Sequence, residues 1–228
     1  MTPDEAAAQR RRMVVEQLEA RGIRDVRLLA AMRKVPRERF LDEPMRERAY
    51  ADAPVPIGGG QTMSQPYMVA RMCELAELRG NERVLEVGVG SGYQTAILCE
   101  LALRVFGVEL RPELARVAER RLRALGYHNI ELGICDGTCG WREQQPFDAI
   151  VVAAGAPDIP ALLVDQLADG GRLVVPVGPR QGQRLAIVRR RGGEPELRIM
   201  PICRGRYLLN AERGIAQTEL CEIGRAHV

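Results

Sequence analysis

Histidine and paired cysteines are scarce in this chain, which argues against several kinds of site. The sequence has two histidines, His128 in a loop after Gly126 and His227 next to the end, so we expect no histidine-based catalysis. Its six cysteines have no C-x-x-C spacing, which argues against a zinc site and against a disulfide framework. We therefore expect no metal and a reducing compartment, which means a soluble, cytoplasmic protein.

Long apolar runs are missing as well. No apolar segment approaches the roughly 20 residues that span a bilayer, and the acidic start Met1–Glu5 lacks a signal-peptide core. The formal charge is +3, from 33 basic and 30 acidic residues. The arginine clusters Arg10–Arg12 and Arg189–Arg191 are not interleaved with aromatics, which is more typical of a solvated face than of a nucleic-acid patch. We expect neither membrane nor nucleic-acid binding, and a monomer is the working expectation.

The first part of the chain predicts a layer of short helices. A helix is expected over Asp4–Arg21 and ends at Gly22. Asp25 can cap a second helix, which Val35-Pro36 ends. The spacing predicts an apolar face on this second helix, made of Val26, Leu29 and Ala30. We assign residues 1–52 to an N-terminal helical layer.

Strands and helices alternate through the middle of the chain. Strands are predicted at Arg83–Val87, Val105–Glu109, Ile130–Cys135, Ala149–Ala153 and Arg172–Val177. Helices are predicted between them, at Ser91–Leu103 and Pro112–Leu125. Two late strands, Leu185–Arg190 and Leu197–Ile202, flank a turn at Gly192–Pro195. Such alternation indicates an α/β domain with a parallel sheet, which we assign to residues 53–221.

The most informative segment is Val84–Tyr93, a buried strand that leads through Gly88, Gly90 and Gly92 into a helix. Glycine at alternate positions permits positive φ and lets a ligand approach bare backbone. The free N–H groups at the start of the next helix point at the same gap. This pattern indicates a nucleotide-type binding turn. A dinucleotide fold would require a third glycine at Tyr93, which disfavours an NAD-dependent dehydrogenase.

Acidic residues stand at the ends of three successive predicted strands. Glu86 precedes the glycine turn, Glu109 ends the second strand, and Asp136-Gly137 follows the third. The carboxyl ends of parallel strands are where such sheets bind ligands. A carboxylate at Glu109 could accept hydrogen bonds from both ribose hydroxyls, and one at Asp136 could meet an adenine amino group. Taken singly, either acid could equally be an ordinary strand-end or turn residue.

Together these residues resemble the class I S-adenosylmethionine-dependent methyltransferases. Over about residues 10 to 200 the chain is similar to the protein-L-isoaspartate O-methyltransferase family. The segments that carry this similarity are Val35–Phe40, Ile57–Pro66, Val84–Tyr93, Asp136-Gly137, Pro146–Ile150 and Gly170–Gly178. The Q-T-hydrophobic-S-Q-P pattern is the most specific of them. The resemblance implies a Rossmann-like, doubly wound sheet of seven strands, mostly parallel with the last strand antiparallel, preceded by N-terminal helices.

The resemblance also implies a function. Members of the family repair damaged proteins by transferring a methyl group from S-adenosylmethionine to the free α-carboxylate of L-isoaspartyl residues. The active-site serine of the Q-T-x-S segment corresponds to Ser64. Cofactor contacts are expected at Gln61, Thr62, Met63, Glu86, Gly88, Gly90, Ser91, Gly92, Glu109, Leu110, Asp136 and Gly137. No general base is required, because a carboxylic acid of pKa near 4 is already ionised at neutral pH.

Two interpretations of Ser64 stay open on the residues alone. Its position before Pro66 predicts the N-cap of a helix. There it either only caps its own helix or also helps the helix dipole to hold a carboxylate. The Gly- and Pro-rich run Ala53–Gly60, in the 53–66 segment, is expected to be a flexible active-site loop that closes over substrate.

Other functions stay open too. A methyltransferase with another acceptor is disfavoured by the Q-T-M-S-Q-P segment, and a binding-only module by the intact Ser64, Glu109 and Asp136. Cys135 departs from the glycine that the family usually has there. Residues from Gly205 onward fit the family poorly. The stretch 222–228 resembles translated sequencing-adapter DNA, so we expect a non-native tail there.

Overall fold

The strands of the computed structural model, which describes residues 1–179 and 182–200, form two sheets. The strands are β1 (Val55–Gly58), β2 (Gln61–Met63), β3 (Arg83–Val87), β4 (Arg104–Glu109), β5 (Ile130–Ile134), β6 (Phe147–Val152), β7 (Leu167–Val177), β8 (Arg184–Arg191) and β9 (Glu194–Ile199). The larger sheet has seven strands in the order β5-β4-β3-β6-β7-β8-β9. Strands β3 to β7 pair in parallel, whereas β8 is antiparallel to β7 and β9 is antiparallel to β8. The predicted fold class, a mostly parallel sheet with antiparallel pairing at its end, is confirmed.

Helices cover the sheet. The α-helices are α1 (Pro3–Met13), α2 (Val26–Lys34), α3 (Pro66–Leu75), α4 (Tyr93–Leu101), α5 (Pro112–Ala124) and α6 (Ala161–Asp165). Short 3-10 turns lie at Glu19–Arg21, Arg37–Phe40, Glu43–Arg48, Gly137–Cys139 and Arg142–Gln144. Helix α5 ends as predicted, with Gly126 in the left-handed conformation at φ 84°.

The first helix is less regular than the sequence predicted. A capping box between Thr2 and Glu5 starts α1, because each residue satisfies a backbone N–H of the other. After Met13 the chain continues as a π-helical turn, Val14–Leu18, and then as a 3-10 turn. Gly22 ends the run at φ 91°, which confirms the predicted stop.

Helix α2 has the predicted ends but not the predicted face. Asp25 caps it, accepting a hydrogen bond from the Leu28 amide at 3.0 Å, and Val35 ends it in extended conformation. The predicted apolar face is wrong, since Val26 is 78% exposed and Ala30 is exposed. The buried residues are Leu28, Leu29, Ala31 and Met32. Packing against α3 and α4 orients the helix, so its first residue faces solvent.

A β-hairpin replaces the expected loop at Ala53–Gly60. Strands β1 and β2 pair antiparallel, with Val55 opposite Met63. The tip is formed by Gly58, Gly59 and Gly60, all at positive φ. Because β1 and β2 are only four and three residues long, composition alone did not reveal them. The segment is therefore a structured arm with a glycine tip.

The core lies on both faces of the large sheet, because successive residues of a strand point to opposite sides. Val84 belongs to the face covered by the N-terminal helices, α3 and α4, together with Leu18, Met32 and Phe40. Leu85 belongs to the opposite face, which includes Leu163 of α6. The N-terminal layer thus shares one hydrophobic core with the sheet.

Most predicted strands appear within a few residues of their expected bounds, and β3 appears with the same bounds. Strand β7 begins at Leu167 rather than Arg172, because Gly170 and Gly171 continue the strand instead of breaking it. The turn of the late hairpin is only Gly192-Gly193, so β9 begins at Glu194. Several features of the sequence lie outside the described residues. They are the remainder of the predicted last strand, Cys203, Cys221, His227, the poorly fitting segment from residue 205 and the tail at 222–228. Within residues 1–179 and 182–200, no helix has the length and apolarity needed to cross a membrane.

Candidate functional site

The glycine turn between β3 and α4 is held against the neighbouring strand. Gly88, Gly90 and Gly92 have φ values of 89°, 55° and 88°. The Gly88 amide donates to the Val108 carbonyl of β4 at 2.8 Å. A Cβ at Gly90 would lie 3.3 Å from Cδ1 of Ile57, so a side chain there would crowd the hairpin. The turn therefore presents bare backbone at the carboxyl ends of β3 and β4.

The Glu109 carboxylate fixes this turn. Its Oε2 accepts a hydrogen bond from the Gly90 amide at 2.8 Å, and its Oε1 accepts one from the Arg111 amide at 3.0 Å. Glu109 is only 7% exposed. Each carboxylate oxygen has a second lone pair that these bonds leave for a further donor. Leu110, which follows, is 66% exposed at the end of the strand.

Glu86 lies beneath the turn rather than in it. Its side chain is fully buried, its Oε1 accepts from Gln94 Nε2 at 3.1 Å, and its Oε2 accepts from the Thr95 hydroxyl. Burial raises the pKa of Glu86 to about 8; the bonds from Thr95 and Gln94 oppose this rise, and the charge of Glu109 adds to it. Glu86 thus couples β3 to the first turns of α4. Ser91, also buried, accepts from the Tyr93 amide at 3.2 Å.

Asp136 and Gly137 follow β5 at the same edge of the sheet. Asp136 is exposed, and its Oδ1 accepts from the Thr138 amide at 2.9 Å to cap a 3-10 turn. A Cβ at Gly137 would lie 2.4 Å from Val87 Cγ1, so only glycine lets this turn approach β3 so closely. A cavity adjoins Asp136, lined also by Ile134, Cys135 and Trp141. This cavity extends the site away from the glycine turn.

The β1–β2 hairpin covers the turn. Ile57 points at Gly90, as described, and a Cβ at Gly59 would lie 3.5 Å from the Arg111 side chain. The hairpin tip therefore contacts the segment that follows Glu109. Gln61 and Thr62 are half-buried on β2, and Met63 is buried.

Ser64 does not cap α3, which corrects the prediction. The N-cap is Gln65, with φ −50° and ψ 141°, and its side chain makes no capping bond. The reason is Pro66 at the first helical position, which keeps the residue before it extended. Ser64 is half-buried just outside the helix. Its hydroxyl is therefore not used by the first turn of its own helix, and the cap-only interpretation is removed.

Sequence reasoning missed the groups that support these residues. Gln94 and Thr95 stand on α4, one turn from the glycines, where they reach Glu86. Arg37 lies in the Val35–Phe40 segment, and its Nη2 donates to the Ser64 carbonyl at 2.6 Å. Two hydrophilic residues directly before the apolar run Ala96–Leu98 were the available signal for Gln94 and Thr95. For Arg37 no local pattern indicates burial.

The arrangement suits a cationic nucleoside-type ligand. Glu109 supplies a carboxylate beside a turn of bare backbone, Glu86 supports that turn from below, and Asp136 faces a cavity at the far end. His128 is exposed beyond α5, away from these groups along the chain. In the part of the chain that the structure describes, no group of three His, Cys, Asp or Glu side chains is suited to holding a metal ion. The site can bind and align reactants by geometry.

Comparison with known proteins gives a consistent result. The family model for protein-L-isoaspartate(D-aspartate) O-methyltransferase (PCMT) matches residues 9–208. The chain is 58% identical over 179 residues to protein-L-isoaspartate O-methyltransferase 1 of Syntrophobacter fumaroxidans, covering 78% of this chain and 84% of that protein. It is 54% identical over 196 residues to protein-L-isoaspartate O-methyltransferase 2 of Pelobacter propionicus, covering 86% of this chain and 87% of that protein.

Solved structures agree in fold. One, a PCMT of Plasmodium falciparum in complex with S-adenosyl-L-homocysteine, superposes with a TM-score of 0.72 at 27% identity, covering 83% of this chain and 94% of that one. Another protein-L-isoaspartate O-methyltransferase superposes with a TM-score of 0.70 at 28% identity, covering 85% of this chain and 65% of that one. Both likenesses extend over most of the described residues.

Proposed function

This chain belongs to the protein-L-isoaspartate(D-aspartate) O-methyltransferase family, and we propose how its own residues divide the work of that reaction. It is a repair enzyme that transfers a methyl group from S-adenosylmethionine to the free α-carboxylate of L-isoaspartyl residues in proteins. The observation that carries the proposal is the Glu109–Gly90 bond beneath the hairpin that leads into Ser64.

The residues at the glycine turn fit this cofactor. A side chain at Gly90 would fill the space at the turn, and the Glu109 carboxylate lies beside it, which suits a ligand that has a positive sulfonium and a ribose. Gly88, Gly90, Ser91 and Gly92 would hold its amino-acid end, and Glu86 would support their turn from below through its bonds to α4. Glu109 and Leu110 would hold the ribose, and Asp136 and Gly137 the adenine. Gln61, Thr62 and Met63 of the hairpin would close over it. S-adenosylmethionine supplies, when bound, a methyl group attached to an electrophilic sulfonium.

Ser64 would hold the methyl acceptor. An isoaspartyl carboxylate is ionised at neutral pH, so the protein has no proton to remove. What the side chains must do is exclude water and orient a carboxylate oxygen, and such orientation can contribute on the order of 7–11 kcal/mol to the lowering of the barrier. A hydroxyl that is not engaged in capping α3 can donate to that carboxylate. Among the residues that the structure describes, the one histidine, His128, is exposed beyond α5, which is compatible with this chemistry.

We also propose the roles of the two parts of the chain, the substrates, the oligomeric state and the location of the enzyme. Residues 1–52 would act as a supporting layer for a catalytic domain at 53–221, whose hairpin arm at 53–66 reaches the substrate. Substrates would be damaged proteins, without nucleic acid or membrane, and the enzyme would act as a monomer. A cytoplasmic location is supported by free thiols at Cys73, Cys99, Cys135 and Cys139.

Ser64→Ala tests the role of the hydroxyl. Loss of one hydrogen bond to a charged acceptor, about 1.5–3 kcal/mol, lowers kcat for an isoaspartyl peptide roughly 10- to 100-fold. The unfolding free energy stays within about 0.5 kcal/mol, because no cap is lost. Thr2→Ala is the matched control, since this exposed hydroxyl caps α1: it costs about 1 kcal/mol of stability and leaves kcat unchanged. A Ser64→Ala enzyme with wild-type kcat would contradict the assignment.

A further inference from the structure

Arg37 is a buried cation with no buried anion beside it in the described part of the chain. Its side chain is fully buried and is the bulkiest in the described part of the core. Within residues 1–179 and 182–200, no carboxylate forms a salt bridge with it. Burial lowers the pKa of Arg37 because desolvation penalises the charged form, and Tyr93 partly offsets this. An unpaired buried charge is costly, and an apolar side chain would fill the same space without that cost. Its presence therefore calls for a role beyond packing.

The guanidinium joins three parts of the molecule. Nε donates to the Ala49 carbonyl at 2.6 Å, and Nη2 donates to the Ser64 carbonyl at 2.6 Å. Its Cζ lies 4.6 Å from the centre of the Tyr93 ring, and Tyr93 is the first residue of α4 after the glycine turn. Nη1 is buried with no acceptor at hydrogen-bonding geometry. Arg37 thus connects the N-terminal layer, the residue that holds the acceptor, and the helix that begins at the cofactor turn.

The neighbour of Ser64 is anchored as well. Nε2 of Gln65 donates to Asp52 Oδ1 at 2.6 Å, and Asp52 pairs with Arg21 at 3.2 Å. Both ends of the hairpin are therefore fixed at its base, while the glycine tip lies free of these bonds. With its carbonyl held on one side and its successor on the other, the backbone of Ser64 has little freedom to move.

We propose that Arg37 is a positioning residue for the methyl acceptor: by binding the Ser64 carbonyl while stacked on Tyr93, it sets the Ser64 hydroxyl relative to the glycine turn. This inference rests on the proposed role of Ser64. Arg37 does not touch the reactants and acts through Ser64. The fixed fork of the guanidinium, which lysine lacks, is what lets one side chain bind two carbonyls at once.

Arg37→Gln and Arg37→Lys test this with kinetics, calorimetry and urea denaturation. Arg37→Gln should lower kcat for an isoaspartyl peptide at least about tenfold, with a larger effect on kcat than on KM. Arg37→Lys, which can bind one carbonyl, should recover part of that loss. The affinity for S-adenosylhomocysteine should stay within about threefold of wild type in both variants. Arg39→Gln is the matched control, an exposed arginine of the same 3-10 turn, and should leave kcat unchanged.

A double-mutant cycle separates positioning from general support. If Arg37 acts through Ser64, then Arg37→Gln on the Ser64→Ala background should lower kcat by no more than about twofold. Additive losses would overturn the inference while leaving the role of Ser64 intact. A variant pair that fails to fold, or that binds S-adenosylhomocysteine more than about tenfold weaker, would also overturn it and make Arg37 a purely structural residue. Wild-type kcat in Ser64→Ala alone would instead refute the proposed function of Ser64 on which the inference rests.

Discussion

The Glu109 carboxylate accepts a hydrogen bond from the Gly90 amide at 2.8 Å, so the end of β4 holds the glycine turn that follows β3. The same carboxylate binds the Arg111 amide, and the Arg111 side chain lies under the hairpin tip at Gly59. One acidic side chain therefore sets the turn and the loop that meets the hairpin. The glycine turn is shaped by its neighbouring strand as well as by its own glycines.

Replacing this carboxylate should weaken cofactor binding. Glu109→Gln keeps the size but loses the charge, and it turns an NH2 group toward one of two N–H donors. We expect the affinity for S-adenosylhomocysteine, measured by calorimetry, to fall about 10- to 100-fold, because hydrogen bonds to charged groups contribute about 1.5–3 kcal/mol. Glu113→Gln, at an exposed acid in the first turn of α5, is the control and should change nothing. Glu109→Gln binding as tightly as wild type would show that the turn does not depend on the carboxylate.

A second prediction concerns the close approach at Gly137. In Gly137→Ala the new methyl would lie 2.4 Å from Val87 Cγ1 and 3.1 Å from Val108 Cγ2. Overpacking of this kind costs about 1–3 kcal/mol, which urea denaturation would detect. At Gly126 a Cβ meets no atom within 4 Å, so Gly126→Ala costs only the left-handed backbone penalty of about 1 kcal/mol. We expect Gly137→Ala to be the more damaging of the two and to weaken cofactor binding as well; a larger loss of stability in Gly126→Ala would contradict this.

Glu86 should make stability fall as pH rises. Burial raises its folded-state pKa from 4.5 to about 8, so the folded protein keeps a proton that the unfolded chain has lost between these values. The stabilisation is fully present below pH 4.5 and is lost as pH rises through about 8. Glu86→Gln cannot titrate. Between about pH 5 and pH 9, the unfolding free energy of wild type should drop relative to that of Glu86→Gln by a few kcal/mol, and by at most about 5.

Parallel urea titrations of both proteins give this difference directly. Glu113→Gln serves again as the exposed control, for which no such difference is expected. A wild type and a Glu86→Gln variant with parallel pH profiles would mean that Glu86 titrates normally and is more hydrated than its burial indicates.

The sheet could be predicted closely because its signals are local. Val84, Leu85 and Val87 are apolar, and Gly88 follows Val87 directly, so the end of β3 is marked in the sequence. The acids at the ends of β3, β4 and β5 could be placed at one edge because parallel strands share their direction. Their separate roles could not be predicted. The Glu86 side chain contacts α4, whereas the Glu109 side chain contacts the glycine turn. Only the register of the strands decides which of these neighbours each side chain reaches.

Other features depended on contacts that the sequence does not display. Ser64 was assigned as an N-cap because serine favours that position, but Pro66 moves the cap to Gln65. The proline itself was the available signal. The hairpin was hidden by its glycines and prolines, and it is stabilised by pairing between strands too short to show a pattern. Arg37 is buried by tertiary contacts alone, so nothing nearby in the sequence marks it.

The central claim is that one pocket aligns a methyl donor with a misplaced backbone carboxylate. The most direct measurement is transfer of labelled methyl from S-adenosylmethionine to an isoaspartyl peptide and to its aspartyl twin. We expect base-labile label on the isoaspartyl peptide only. Equal labelling of both peptides, or label that survives base on either one, would contradict it.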